Sequence, residues 1–183
     1  MRALVAYGSK YGSTKEIAER IAKNLREGGM TVDLKNVTEE KVTAGGYDLA
    51  VVGSGIYAGK WMKPVLKFLQ DGSPELSKGK VALFACCMDA ADPKANKDAV
   101  KRYIADVQAG MPGLKVASSA TFAGVVDFNK YGFVVKKIMK SIYVKRNEEA
   151  GSPEKADEID WTKTRDYRDW NAIDAWSKDL LAK

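Results

Sequence analysis

The sequence predicts an α/β fold: a doubly wound, five-stranded parallel sheet of strand order 2-1-3-4-5, with a basic helix inserted after the fifth strand. Apolar segments typical of buried parallel strands alternate five times with segments of helical periodicity. The loops richest in glycine and serine follow the first and third strands, which flank the ligand crevice in this strand order. We expect a single domain over residues 1–183, with the insertion at about 125–160.

The individual elements follow from local pattern. The first strand is predicted at Ala3–Tyr7, and the helix after it carries apolar residues along one face. The other strands are predicted at Met30–Val37, Tyr47–Gly53, Lys80–Cys87 and Leu114–Gly124. Further helices are predicted at Lys63–Gln70, at Pro93–Ala109 and after Asp169, with a turn at Asp71–Pro74 and a loop at Asn147–Asp160.

The loop after the first strand has the composition of a phosphate-binding site. Its glycines allow close backbone approach, its hydroxyls can donate to phosphate oxygens, and the next helix begins with unpaired N–H groups. The loop lacks both G-x-x-x-x-G-K-[ST] and G-x-G-x-x-G, so a single phosphate fits better than a triphosphate or a dinucleotide. The residues predicted to bind this group are Ser9, Lys10, Tyr11, Gly12, Ser13 and Thr14.

The loops after the third and fourth strands are predicted to flank a flat aromatic ring. Ile56 or Tyr57 would pack on its face, while backbone groups of the small residues would reach its edge. The alternative is that Tyr57 and Trp61 are ordinary residues at the rim of the next helix. The candidate residues of these two loops are Ser54, Gly55, Ile56, Tyr57, Ala58, Gly59, Cys86, Cys87, Met88 and Asp89.

The amino-acid composition excludes some kinds of catalytic and metal-binding site. The chain has no histidine, which removes His-based triads and His-ligated metals, and no metal site is predicted. Neighbouring strand residues point to opposite faces, so one of Cys86 and Cys87 is expected in the core. We favour a buried, structural role for these cysteines over a redox role; a strained disulfide between them is a minor alternative.

With no apolar run long enough to span a bilayer and no signal-peptide pattern, the chain is expected to be cytoplasmic.

Four segments together form a recognisable pattern: Gly8–Ala18, Val52–Gly59, Phe133–Lys140 and Tyr167–Trp170. They resemble the flavodoxin-domain family, and within it the menaquinone-dependent protoporphyrinogen IX dehydrogenases. The first contains a variant of the family's FMN phosphate loop, [ST]-x-[ST]-G-x-[ST], in which Tyr11 replaces a small hydroxyl residue. Electron-carrier flavodoxins lack the inserted basic helix and tend to be acidic, whereas this chain has a net charge of +6. The resemblance implies FMN, two-electron chemistry, a tetrapyrrole or quinone partner and, in some members, association with a membrane surface.

The basic helix at Lys130–Val144 has three open interpretations. Six of the thirty basic residues lie within the seventeen positions 130–146, which include Lys145 and Arg146 directly after this helix, and no acid is among them. The apolar stripe could pack on a core beneath a solvated basic face, the lysines could bind tetrapyrrole propionates, or the helix could lie on anionic lipid. The candidate contact residues are Lys130, Lys136, Lys137 and Lys140. Nucleic acid is disfavoured, because aromatic residues are not interleaved with the basic ones.

Three functions are compatible with these observations. The first is an FMN oxidoreductase that passes electrons from a reduced substrate to a quinone, peripheral on the inner face of the membrane. The second is a non-enzymatic FMN electron carrier that docks an acidic redox protein on the basic helix. The third, a flavodoxin-fold module without flavin, is disfavoured by the intact loops. No catalytic residue is assigned from the sequence.

Overall fold

The computed structural model describes residues 1–149, 151 and 157–182. The strands are β1 (Arg2–Gly8), β2 (Thr31–Asn36), β3 (Leu49–Tyr57), β4 (Lys60–Trp61), β5 (Lys80–Cys86), β6 (Val116–Phe122), β7 (Val125–Val126) and β8 (Arg165–Asp166). The helices are α1 (Ser13–Glu27), α2 (Lys63–Leu76), α3 (Pro93–Val100), α4 (Asp106–Ala109), α5 (Phe133–Glu149) and α6 (Trp170–Ala182). Short 3₁₀ turns occupy Met88–Ala91 and Phe128–Lys130, and a π-helical turn joins α3 to α4 at Lys101–Ala105.

The central sheet has the order β2-β1-β3-β5-β6, with all of these strands parallel. These are the first five long strands of the chain, so the predicted order 2-1-3-4-5 is confirmed. One additional strand, β4, pairs antiparallel with the end of β3. The winding therefore reverses between β1 and β3, which is where a doubly wound sheet opens its crevice.

The chain divides into two compact units, Met1–Gly124 with the segment from Arg168 onward, and Val125–Tyr167. The first unit has a core layer on each face of its sheet. On one face, α1 and α6 bury residues such as Ile17, Ile21 and Ile173 against β1, β3 and β5. The opposite layer contains Trp61 and Leu69 with residues of α3 and of the π-helical turn. Helices on both faces are what nearly continuous apolar strands require.

Helix α2 corrects the predicted turn at Asp71–Pro74, because the helix continues through Pro74 to Leu76. Gly72 is buried so closely that a Cβ there would lie 2.7 Å from the Cβ of Ala44. Leu69 and Leu76 are buried two helical turns apart. Burial along this face outweighs the cost of a proline within the helix.

Two further boundaries differ from prediction. Strand β3 extends to Tyr57 instead of ending at Gly53, because its end is paired with β4 in a hairpin. Helix α5 runs to Glu149, so the predicted loop at Asn147–Asp160 begins too early. Most of the rest of that predicted loop lies outside the described residues.

Helix α6 is held against α1 by a polar network around Asp174. The Nε and Nη2 atoms of Arg20 donate to the two carboxylate oxygens of Asp174 at 2.6 and 2.5 Å. The amide of Asn24 donates to Oδ1 of Asp174 at 2.7 Å. These hydrogen bonds, that from Arg20 first, hold the pKa of the Asp174 carboxyl well below its usual range.

We expect Asp174→Asn to lower the melting temperature by about 3–8 °C at pH 7, since it removes charge-assisted hydrogen bonds. A depressed carboxyl pKa stabilises the fold above the unfolded-state value of about 3.9, and the contribution is lost as pH falls towards the folded-state pKa. The difference between wild type and variant should therefore shrink below about pH 4. Thermal melts between pH 3 and 7 measure it, with Asp179→Asn, exposed on the same helix, as the control. A difference independent of pH would contradict this explanation.

The second unit is organised around Phe128, which is fully buried. Its ring makes edge-on contacts with Tyr131, Tyr143 and Trp161, at centroid distances of 5.8, 5.9 and 4.9 Å. Strands β7 and β8 pair antiparallel in this unit. An aromatic cluster thus supplies the core of the insertion.

Helix α5 does not bury its apolar stripe. None of its seventeen residues is buried, and its exposed apolar side chains include Phe133 at 87 %, Val134 at 68 %, Ile138 at 54 % and Ile142 at 43 %. The interpretation of the apolar stripe as core-facing is therefore wrong for Val134, Ile138 and Ile142, whereas Val135 and Met139 of the same stripe are half-buried. In the described part of the chain, no helix combines the length and apolarity needed to cross a membrane.

Candidate functional site

The three predicted loops lie together at the carboxyl edge of the sheet. In the parallel registers, Gly8 of β1 is level with Ser54 of β3, and Gly55 of β3 is level with Cys86 of β5. The segments that follow these positions therefore leave the sheet side by side. This edge borders the reversal of winding, where ligands bind in such sheets.

The loop after β1 presents the open end of helix α1. Gly12 precedes the helix with φ of 101°, a left-handed conformation that favours glycine. Within the described residues, no side chain caps this helix end, so its first N–H groups face the loop. A helix that begins without a side-chain acceptor has N–H groups and a positive dipole end available to an anion.

The hydroxyl residues of this loop have different roles. Ser9 Oγ accepts a hydrogen bond from the N–H of Gly12 at 3.1 Å, which fixes the turn of the loop. Ser13 Oγ lies 3.7 Å from Cys86 Sγ, and Thr14 is buried. The side chains of Ser13 and Thr14 therefore connect the start of α1 to the neighbouring strands.

Tyr57 links the loop after β1 to the hairpin after β3. Its hydroxyl accepts a hydrogen bond from the N–H of Lys10 at 3.0 Å, and its ring meets that of Tyr11 edge-on at 5.7 Å. Burial is the main cause that raises the pKa of Tyr57 to about 12. At neutral pH this phenol therefore stays protonated and can donate a hydrogen bond but cannot act as a base.

The hairpin between β3 and β4 turns at Ala58 and Gly59, whose φ angles are 49° and 75°. Two successive positive φ angles are the requirement of a two-residue I′ turn. Gly55 is required for a different reason, because a Cβ there would lie 2.8 Å from the Tyr57 hydroxyl and 3.0 Å from Thr14 Oγ1. Gly55 thus allows Tyr57 to fold back against the loop after β1.

The buried side chains of Ser54 and Trp61 make hydrogen bonds within the protein interior. The Ser54 hydroxyl is buried, donates to the carbonyl of Gly55 and accepts from the N–H of Met62, where α2 begins. Trp61 is buried and donates from Nε1 to the carbonyl of Tyr103 at 2.7 Å. Any cofactor contact at Ser54 would therefore use its backbone.

Cys86 and Cys87 are free thiols buried on opposite faces of the sheet. The alternation expected for neighbouring strand residues is thus observed. Burial raises the pKa of both thiols, that of Cys87 to about 12. Neither cysteine is a thiolate at neutral pH, and the thiolate is the reactive form of cysteine.

Asp89 follows in the 3₁₀ turn after β5. Its Oδ2 accepts a hydrogen bond from the Tyr103 hydroxyl at 2.7 Å and lies 3.7 Å from Nη1 of Arg102. Both partners belong to the π-helical turn, a distortion that frequently occurs near functional sites. Sequence reasoning missed Tyr103 and Arg102, because the predicted helix Pro93–Ala109 carries no sign of where its π-helical turn falls.

The four lysines predicted for substrate or membrane contact all lie in the second unit. Lys130 and Lys137 are exposed, whereas Lys136 and Lys140 are half-buried. The Lys140 ammonium lies over the ring of Trp161, 4.5 Å from its centroid. The charge of Lys140 therefore already interacts with the aromatic core of this unit.

A family model described as a flavodoxin domain matches residues 4–153. The chain belongs to the flavodoxin domain family. This confirms the family to which the sequence was assigned by resemblance, and the flavodoxin strand order agrees with it.

Relatives of two kinds share this flavodoxin domain. The chain is 23 % identical to the protoporphyrinogen IX dehydrogenase [quinone] of Escherichia coli strain K12, over 98 % of this chain and 94 % of that one. It is 30 % identical to a flavodoxin of Maridesulfovibrio salexigens over 95 residues, 46 % of this chain and 62 % of that one. The similarity to the protoporphyrinogen IX dehydrogenase therefore also covers the second unit, Val125–Tyr167.

Solved structures share the flavodoxin fold. A flavoprotein of Lactobacillus acidophilus in complex with FMN has a TM-score of 0.50 at 19 % identity, covering 66 % of this chain and 92 % of that one. A short-chain flavodoxin associated with a bacterial microcompartment has a TM-score of 0.51 at 16 % identity, covering 68 % and 82 %. At these identities the likeness concerns the fold alone.

Proposed function

We propose that this chain is an FMN-dependent oxidoreductase of the protoporphyrinogen dehydrogenase type, which passes electrons from a reduced tetrapyrrole through FMN to a quinone. The observation that carries the proposal is the carboxyl-edge site, where the uncapped start of α1 meets the ends of β3 and β5. The donor set suits a phosphate group, since the first backbone N–H groups of α1 have no side-chain acceptor and the loop beside them carries hydroxyl residues. The residues that would hold FMN are those predicted at Ser9–Thr14, Ser54–Gly59 and Cys86–Asp89.

When bound, FMN would supply the redox chemistry, taking up electrons from the substrate and releasing them to the acceptor. The protein's own contribution is to bind and orient. Tyr57 holds the loop after β1 through Lys10, and its protonated phenol can donate a hydrogen bond. Asp89, in the loop after β5, accepts a hydrogen bond from the Tyr103 hydroxyl that holds its carboxylate in place. These contacts support a site in which the loops are already held in place before FMN binds.

The extent of the sequence similarity to known proteins favours an enzyme over an electron carrier. The likeness to the quinone-linked dehydrogenase spans nearly the whole of both chains, whereas the likeness to the Maridesulfovibrio flavodoxin spans less than half of this one. The second unit, with its basic helix, lies within the longer likeness. A carrier needs no such additional unit to exchange electrons with a protein partner.

Turnover of protoporphyrinogen IX tests the proposal. With FMN and menadione present, we expect porphyrin fluorescence to appear at a rate proportional to protein, each pair of electrons removed reducing one quinone. The control is the same protein stripped of flavin, which should fall to the uncatalysed rate. Protein that binds FMN and forms no porphyrin would refute the enzyme and favour the electron carrier.

We further propose that α5 contacts an anionic membrane surface, where a quinone would be met. Four apolar side chains of α5 are exposed, and so are Lys137 in the same helix and Lys130 shortly before it. Apolar side chains can enter the interface of a bilayer while neighbouring lysines pair with lipid phosphates. This combination favours lipid over a small carboxylated ligand, which would not need Phe133 to be 87 % exposed.

Replacing the exposed Lys130, Lys137 and Lys145 by glutamate should weaken binding to phosphatidylglycerol vesicles at least tenfold, at about 1 kcal/mol per basic residue. Phe133→Ser should weaken it independently of salt, because its contribution is apolar. Vesicle flotation measures both effects. The matched control replaces the exposed Lys94, Lys97 and Lys101 of the first unit by glutamate. Equal binding by both triple variants would exclude α5 as the lipid contact.

A further inference from the structure

Arg168 is a nearly buried cation next to the phosphate loop. It lies in the first unit, where the chain returns from the insertion, and its side chain is only 8 % exposed. Its Nη1 lies 2.5 Å from Oε2 of Glu16, and its guanidinium lies over the Trp170 ring, 4.6 Å from the centroid. A charge is seldom buried unless it is paired, so this ion pair has a stabilising or functional role.

The carboxylate of Glu16 lies near the helix end at which a phosphate would bind. It is in the first turn of α1, and its Oε1 lies 4.0 Å from the position that a Cβ on Gly12 would occupy. An acid in the first turn interacts well with the helix dipole when no ligand is bound. Towards a phosphate at the same helix end, however, the carboxylate is a like charge in competition for the same N–H groups.

The field of the Arg168 guanidinium also reaches the start of α1. Burial raises the pKa of the Cys86 thiol, and the hydrogen bonds of Ser13 and Thr14 together with the Arg168 charge oppose that rise. Cys86 Sγ lies 3.7 Å from Ser13 Oγ, within the first turn of the helix. Glu16, Arg168 and the open helix end thus form one electrostatic group.

We propose that Arg168 is a positioning residue for the phosphate loop. By pairing with Glu16 it neutralises the carboxylate beside Gly12, so that the N-terminus of α1 can accept the phosphate of FMN. Arg168 acts through Glu16 and does not itself contact the phosphate. This inference rests on the proposed binding of FMN. It adds a reason why the site would bind FMN more tightly than riboflavin, which lacks the phosphate.

The test compares FMN with riboflavin, which lacks the phosphate, by titrating flavin-free protein and following flavin fluorescence. Arg168→Gln should weaken FMN binding about 10- to 100-fold, the usual effect of losing a charged interaction, and leave riboflavin binding nearly unchanged. Glu16→Gln added to Arg168→Gln should restore the FMN-to-riboflavin affinity ratio of the wild type. Arg168→Lys should keep that ratio, and Glu19→Gln, one turn further along α1, is the matched control.

Three results would overturn the inference: equal weakening of both flavins by Arg168→Gln, no weakening of either, or a double variant that still binds FMN as poorly as Arg168→Gln. If Arg168→Gln does not fold, as judged by circular dichroism, Glu16→Gln alone decides. It should raise the affinity ratio, and an unchanged or lower ratio overturns the inference. Wild-type protein that binds neither flavin would instead refute the proposed function itself.

Discussion

Replacing Gly53 by alanine is expected to lower the melting temperature by about 5–10 °C, as overpacking a rigid core does. Gly53 lies in the middle of β3, directly opposite Phe84 on β5. A Cβ at Gly53 would lie 2.0 Å from Cζ of Phe84. The Phe84 ring cannot easily withdraw, because it is fully buried and packs against Phe122 and Trp176.

Thermal melts of four proteins measure this effect. Gly132→Ala is the control, since among the described atoms none lies within 4 Å of the added Cβ. Phe84→Leu combined with Gly53→Ala should recover part of the lost stability, because the smaller side chain leaves room for the methyl group. A Gly53→Ala variant as stable as the wild type would mean that Phe84 can move aside without cost.

Replacing Gly12 by alanine is expected to weaken FMN binding about 10- to 100-fold, through the backbone conformation of the loop. The φ of 101° at Gly12 is costly for any residue with a Cβ, by about 1–2 kcal/mol. Steric contact is not the cause, because the nearest atom to the added Cβ is Glu16 Oε1 at 4.0 Å. A loop that relaxes to negative φ would turn the first N–H groups of α1 away from the phosphate.

Gly29→Ala is the matched control for Gly12→Ala. Gly29 has φ of 87° at the opposite end of α1, with no described atom within 4 Å of the added Cβ. Both variants should lose a similar amount of stability, and FMN titration should separate them. Equal FMN affinity in the two variants would show that the conformation of Gly12 does not matter for the cofactor.

The sheet could be predicted because its strands are buried on both faces. A segment such as Tyr47–Gly53 is nearly all apolar. The loops rich in glycine and serine follow the first and third strands, as the strand order 2-1-3-4-5 leads one to expect. The turn at Asp71–Pro74 was predicted wrongly for an equally physical reason. Local composition reports the preference of the backbone, whereas the burial of Gly72 and Leu76 depends on contacts made elsewhere in the fold.

The meeting of the three loops at one edge of the sheet could also be predicted, since every loop after a parallel strand leaves the same edge. The partners of individual side chains could not. Tyr57 bonds a backbone group 47 residues away, and Arg168 pairs with an acid 152 residues away. Helical periodicity likewise identified α5 as a helix but does not contain the information on which face remains exposed.

The return of the chain through α6 has a consequence for synthesis on the ribosome. Ile173 and Leu180 complete the core layer around α1, and Asn24 bonds Ser177 across 153 residues. The nascent flavodoxin domain therefore keeps the apolar surface of α1 incompletely covered until α6 has emerged from the exit tunnel. Closing so long a loop costs little additional entropy but delays the final step of folding. We therefore expect chaperones that bind apolar segments to reach this face of α1 during translation.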